Sequence, residues 1–189
     1  IYTLNQVFLP KVSLAETTGL FQRVGYLVLC SSVASQDVKF RRKEVNIYKA
    51  GGELFGTEYD AQHVYENFMK KGEFVCQGQL VFSHDGISSP KKEVFLDMIK
   101  NFFNSDKNDA SIIYYSGHGF RGAKILLETP FGSYEIEYED IISLWRQREY
   151  PDNNNNKHLL LLLDCCYSGS WVLQLLKNGD FNEIGRASC

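Results

Sequence analysis

What this chain lacks narrows the field before any motif is read. No apolar run approaches the ~18 residues that span a bilayer, so no membrane helix is expected. There is no excess of basic residues. The formal net charge is −3, which gives no electrostatic reason to expect nucleic acid or an anionic membrane surface as a partner. No signal peptide is visible, but the chain starts at Ile1 rather than Met, so part of the native N-terminus is expected to be missing. The five cysteines, Cys30, Cys76, Cys165, Cys166 and Cys189, are odd in number. Their spacing suits neither a disulfide framework nor paired CxxC zinc knuckles. That usage points to a reducing compartment and hence to the cytoplasm. Cys30 and Cys76 lie inside apolar runs and read as plain buried thiols. A G-x-S-x-G nucleophile elbow is absent, and "GGELFGT" lacks the lysine of a phosphate-binding loop. Neither an internal repeat nor an interior linker is found.

What is present fits one domain with a real core. The chain has 189 residues, 44% hydrophobic and 23% charged, with aromatics at 14% to fill the interior. Residues 1–23 are mixed in character and form an N-terminal segment of undefined structure, ahead of a domain over 24–189. "VGYLVLCSS" from Val24 is a short continuous apolar strand. "GTEYDAQHVYENFMKK" carries Ala61, Val64, Tyr65, Phe68 and Met69 at helical spacing, and Thr57 with Asp60 is a helix-start signature. "FVCQGQLVFS" is a strand. Ser89 and Pro90 open a helix with Val94, Phe95, Met98, Ile99, Phe102 and Phe103 on one face. "ASIIYYS" is a strand, "KILLE" and "SYEI" pair around "TPFG", and "YEDIISLWRQR" is a helix. "LLLLL" from Leu159 is a strand, and a short helix covers about Ser170 to Lys177. Strands alternating with helices predict an α/β fold: a mainly parallel sheet with helices on both faces. The continuous apolar strands agree, because parallel strands are buried on both faces.

Two strand ends stand out. "ASIIYYSGHGF" and "LLLLLDCCYSGSW" are apolar runs that stop at reactive, glycine-flanked residues. In an open α/β sheet, ligands bind outside the carboxyl ends of the strands. Parallel strands would therefore bring His118 and Cys166, 48 positions apart, to the same edge. A thiolate is a nucleophile, and a neighbouring imidazole can take its proton or stabilise its charge. The N–H groups of Cys166 and Gly119 are candidates for an oxyanion hole. The glycines beside His118 would leave room for a substrate chain to approach. A lone histidine is more often structural than catalytic, but these glycines and the strand-end position weigh toward catalysis. Zinc held by His118, Cys165, Cys166 and Cys76 is the weaker reading, since adjacent cysteines rarely share one tetrahedral ion.

These residues resemble the caspase-like cysteine peptidases: caspases, paracaspases and metacaspases. "YYSGHG" is similar to the family's catalytic-histidine motif. "DCCYSG" is similar to the metacaspase-type nucleophile motif, which assigns attack to Cys166 and leaves Cys165 as its neighbour. "GTEYDAQHVYENF" is similar to the segment that begins the first caspase helix. The separation of the two motifs matches the roughly 50 residues of caspases. The resemblance covers about residues 24 to 189 and implies a caspase-like sandwich and a cysteine endopeptidase acting on polypeptides. No metal or organic cofactor is needed for that chemistry. In place of the acidic run by which many metacaspases need calcium, this chain has "FRGAKILLETPFG".

Departures from the family bear on the substrate. Caspases cut after aspartate with help from an arginine just before their "GT" segment; here Leu54 and Phe55 stand before Gly56 and Thr57. The glutamine that precedes the caspase nucleophile by two is here Asp164. A missing cation and an added carboxylate favour arginine or lysine at the cleaved position (P1). The bland alternative for Asp164 is a residue that ends the strand and caps the next turn. Family members continue with further strands, and "EIGRASC" resembles the start of one. The domain is thus large-subunit-like and expected to be incomplete, with a small subunit or a continuation of the chain as partner. The rival reading is a catalytically inactive caspase-like adaptor or regulatory module.

Overall fold

The computed structural model describes residues 23–31, 56–69, 75–82, 92–105, 108–129, 132–149, 158–179 and 184–185. Among these, the elements in chain order are β1 (Val24–Cys30), α1 (Thr57–Val64) with a wider helical turn at Tyr65–Met69, β2 (Val75–Phe82) and α2 (Lys92–Phe103). There follow β3 (Ala110–Ser116), β4 (Gly119–Phe120), β5 (Lys124–Thr129), β6 (Gly132–Glu137) and α3 (Tyr138–Arg146). β7 (His158–Asp164), α4 (Gly169–Asn178) and β8 (Ile184–Gly185) complete the order. The expected alternation of strands and helices is present.

Five strands pair in the order β2-β1-β3-β7-β8, and every pairing is parallel. β1 sits between β2 and β3, so its apolar run is flanked on both edges. The three remaining strands form a small antiparallel sheet, β4-β5-β6. Its β5–β6 hairpin is the one expected from "KILLE" and "SYEI". β4 is only two residues long and too short for an alternation signal.

Successive side chains in a strand point to opposite faces, and the core divides accordingly. On one face Leu27, Leu29, Ile113, Tyr115, Leu159, Leu161 and Leu163 pack with Phe95, Ile99, Phe102 and Phe103 of α2, Trp145 of α3 and Trp171 of α4. On the other, Val28, Cys30 and Tyr114 pack with Ala61 of α1. Helices thus flank the central sheet on both faces, as an α/β architecture requires. The second face is less closed: Leu160 and Leu162 of β7 are half-buried rather than buried. The continuous leucine run is therefore only partly explained by burial on both sides. Cys30 is buried, as expected for an inert thiol. The side chain of Cys76, the residues Ser89 and Pro90 and residues 1–22 of the N-terminal segment lie outside the described residues.

Helix starts follow local chemistry. α3 begins with a reciprocal capping box between Glu137 and Asp140. α1 does not use Thr57 as its cap; Gly56 occupies that place and makes no side-chain bond, while buried Thr57 is the first helical residue. α4 ends at Gly179 in the left-handed conformation, at φ 74°, where a residue without Cβ carries no steric penalty. No helix among the described residues is long and apolar enough to cross a membrane.

Trp145 anchors the helix layer. It is fully buried, meets Phe103 edge-on at 5.2 Å, and carries the Arg148 guanidinium 3.7 Å from its ring centroid. Removing so large a buried ring leaves a cavity. Trp145→Ala is expected to lower stability by about 3–5 kcal/mol in urea denaturation. Leu173→Ala, at a position 67% exposed, should shift the same midpoint little.

Candidate active site

The site begins with strand register. β3 and β7 are parallel neighbours, with Ser116 opposite Asp164 at their carboxyl ends. His118 and Cys166 each stand two residues beyond that pair. Both sequence-predicted residues therefore leave the same edge of one sheet from adjacent strands. The two exits are tied by their backbones, since the Gly117 N–H donates to the Asp164 carbonyl at 3.3 Å. On the other side, the Ser31 N–H donates to the Ser116 carbonyl at 3.0 Å. The loop carrying His118 is thus held from both flanks.

The two glycines beside His118 serve the protein itself. A Cβ at Gly117 would collide with the Tyr115 phenol, with Cζ only 2.7 Å away, and lie 2.9 Å from Ser31 Cβ. A Cβ at Gly119 would collide with the Cys166 carbonyl oxygen and lie 2.8 Å from the Cys165 sulfur. The expectation that they leave space for a substrate chain is corrected by these distances: the protein fills both places. Their absent side chains let the histidine loop close onto Tyr115 on one side and onto the cysteine turn on the other.

Tyr115, a strand residue within the "YYSGHG" stretch, is central to the loop. Its ring is fully buried, and its hydroxyl lies 2.9 Å from the His118 carbonyl and 2.7 Å from the Leu126 carbonyl. The Leu126 N–H also donates to the His118 carbonyl, at 3.0 Å. The backbone of His118 is thereby bound to β5 and to the core. Nothing in the local sequence signals this, because the partners are a carbonyl and a backbone amide on another strand.

Beyond β7 the chain turns sharply. Cys165 is half-buried and packs against the core, Cys166 is exposed, and His118 is half-buried. Tyr167 follows in the left-handed conformation at φ 59°, a strained state for an aromatic residue. Such strain persists only where the surroundings impose it, and here it reverses the chain before α4. Ser168 beneath it is fully buried.

Asp164 lies on the α1 side of the sheet. Its carboxylate is exposed and accepts a hydrogen bond from the Tyr114 hydroxyl at 3.1 Å. Burial, and then the neighbouring charge of Asp164, push the Tyr114 phenol well above its usual range; Asp60 of α1 adds a smaller push the same way. Leu54 and Phe55 lie outside the described residues. Among the described residues, no group of three or more His, Cys, Asp or Glu side chains could hold a metal ion.

The model of the peptidase C13 family matches residues 87–184, which include both strand ends and more than half of the chain. No curated protein matches it. The chain belongs to the peptidase C13 family, a cysteine peptidase family of the caspase-like clan.

Two outcomes follow for this site. Gly119→Ala must push the histidine loop off the cysteine turn, and it should lower stability by about 1–3 kcal/mol in urea denaturation. Tyr114 gives a pH signature. Its proton is held more tightly in the folded state than in the unfolded one. The resulting stabilisation is complete below the unfolded tyrosine pKa of about 10 and is lost as pH rises beyond it. Urea midpoints measured from pH 8 to 11 should fall at the alkaline end, and Tyr114→Phe should flatten that fall.

Proposed function

We propose that this chain is a cysteine endopeptidase of metacaspase or paracaspase type, using a His118/Cys166 dyad and cutting after arginine or lysine. The observation that carries this reading is the parallel β3–β7 pairing, with Gly119 packed onto the Cys165–Cys166 turn. Family membership supports the cysteine peptidase chemistry in general.

In this reading the Cys166 thiolate attacks the scissile carbonyl, and a sulfur–carbon bond forms. The carbonyl oxygen takes the negative charge, which the N–H groups of Gly119 and Cys166 receive. The tetrahedral species collapses and the carbon–nitrogen bond breaks. The departing amine takes its proton from the His118 imidazolium, which leaves a thioester. Water then gives a proton to His118 and its oxygen to the acyl carbon, and the thiolate is expelled. Electrons balance without any redox partner.

Asp164 would line the P1 pocket. Its exposed carboxylate faces the α1 side, and one oxygen is already oriented by Tyr114. A carboxylate with free acceptor sites suits a guanidinium or ammonium group. The substrate is a polypeptide, and a continuation of the chain or a small subunit would complete the pocket.

The test uses fluorogenic peptides that end in Arg, Lys or Asp. Arg and Lys peptides should be cleaved, and Cys166→Ala should lower kcat by more than about a thousandfold. Asp164→Asn should raise KM for the Arg peptide more than it lowers kcat. Cleavage after Asp would overturn the pocket assignment. Equal, sluggish alkylation of several cysteines, with no turnover, would favour an inactive binding module instead.

A further inference from the structure

The turn between β4 and β5 starts three residues after His118, and it presents a cation that the chemistry above does not use. Arg121 is exposed, and its guanidinium lies 5.6 Å from the centroid of the Tyr167 ring. Tyr167 is the residue directly after Cys166. One cation–π contact therefore joins the loop of the proposed base to the turn of the proposed nucleophile.

The base of this arm is rigid. Phe120 pairs with Lys124 across the turn, and Gly122 and Ala123 both have positive φ, at 84° and 59°. The Ala123 methyl is fully buried, and its carbonyl accepts the Tyr138 N–H at 3.0 Å. The ring that receives Arg121 is itself held in a strained left-handed backbone and is 51% exposed. Among the described residues no carboxylate forms an ion pair with Arg121. The other cation of the same hairpin, Lys124, is engaged by Glu135 and Glu137, each at 2.8 Å. Arg121 is thus a positioned charge whose counter-ion does not come from the described part of the protein.

We infer that Arg121, steadied on Tyr167, selects substrates with an acidic residue just beyond the scissile bond. This rests on the dyad reading. His118 must reach the leaving amine, so the leaving half of the substrate passes the loop that carries His118 and then Arg121. An aspartate or glutamate one or two positions past the cut can meet the guanidinium there. The net charge of −3 would by itself repel an acidic peptide, so any acidic preference must arise locally.

The experiment separates recognition from turnover. Fluorescein-labelled peptides with arginine at the cut site, followed by Asp-Glu, Ala-Ala or Lys-Lys, are bound to the Cys166→Ala protein and followed by anisotropy at low and high salt. The acidic peptide should bind about three- to fivefold more tightly than the Ala-Ala peptide, the range of an exposed charge pair, and salt should shrink the difference. Adding Arg121→Ala should bring the ratio to one, and Arg121→Glu should invert it in favour of Lys-Lys. Lys124→Gln, which removes a cation of the same hairpin, should leave the ratio intact. Equal binding of all three peptides, or an acidic preference that survives Arg121→Ala, would overturn the inference. If the preference follows Arg121 while the wild-type protein cleaves none of the peptides, the peptidase reading fails and the recognition role stands.

Discussion

The site depends on one constraint: β3 and β7 run parallel, side by side and in a fixed register. Parallel neighbours end at the same edge, so whatever follows Ser116 meets whatever follows Asp164. A shift of one residue in either strand would send its whole side-chain set to the opposite face. The buried positions at Ile113, Tyr115, Leu161 and Leu163 forbid such a slip. The packing of the core therefore fixes the relative placement of His118 and Cys166.

The packing also assigns opposite tasks to two adjacent tyrosines. Tyr114 faces α1 and orients the Asp164 carboxylate, while Tyr115 faces the other layer and holds the His118 carbonyl. Period-two alternation along one strand thus delivers one hydroxyl to the proposed pocket and one to the backbone of the proposed base. Past the strand ends, Gly119 lets the two loops touch, and the strained Tyr167 closes the arrangement from outside. The histidine half and the cysteine half form one packed unit.

Much of this was legible in the sequence. Short apolar runs between amphipathic segments point to the parallel sheet, and the reactive residues just past two such runs do leave one shared edge of it. The family match over residues 87–184 agrees with the resemblance to cysteine peptidases at the level of the caspase-like clan. What stayed hidden depends on contacts between distant residues. The position of β1 between β2 and β3 has no local signature. Thr57 does mark the start of α1, but its burial there depends on the packing of α1 against the sheet. The glycines beside His118 were correctly singled out but given the wrong reason, since what fills their space comes from Tyr115, Ser31 and the cysteine turn. Arg121 and Tyr167 lie far apart in sequence, and no pattern couples them.

The close fit of Gly117 over Tyr115 has an evolutionary consequence. Any side chain added at 117 must displace the Tyr115 phenol, ring carbon and oxygen alike, and the Ser31 side chain as well. Losing that oxygen removes a donor from the carbonyls of His118 and Leu126. Neither position can drift alone without harm, so the pair should change together or stay as it is. A descendant that no longer needed a fixed imidazole would be released from both demands at once, and loosening at these two positions would record that release even where histidine and cysteine persist.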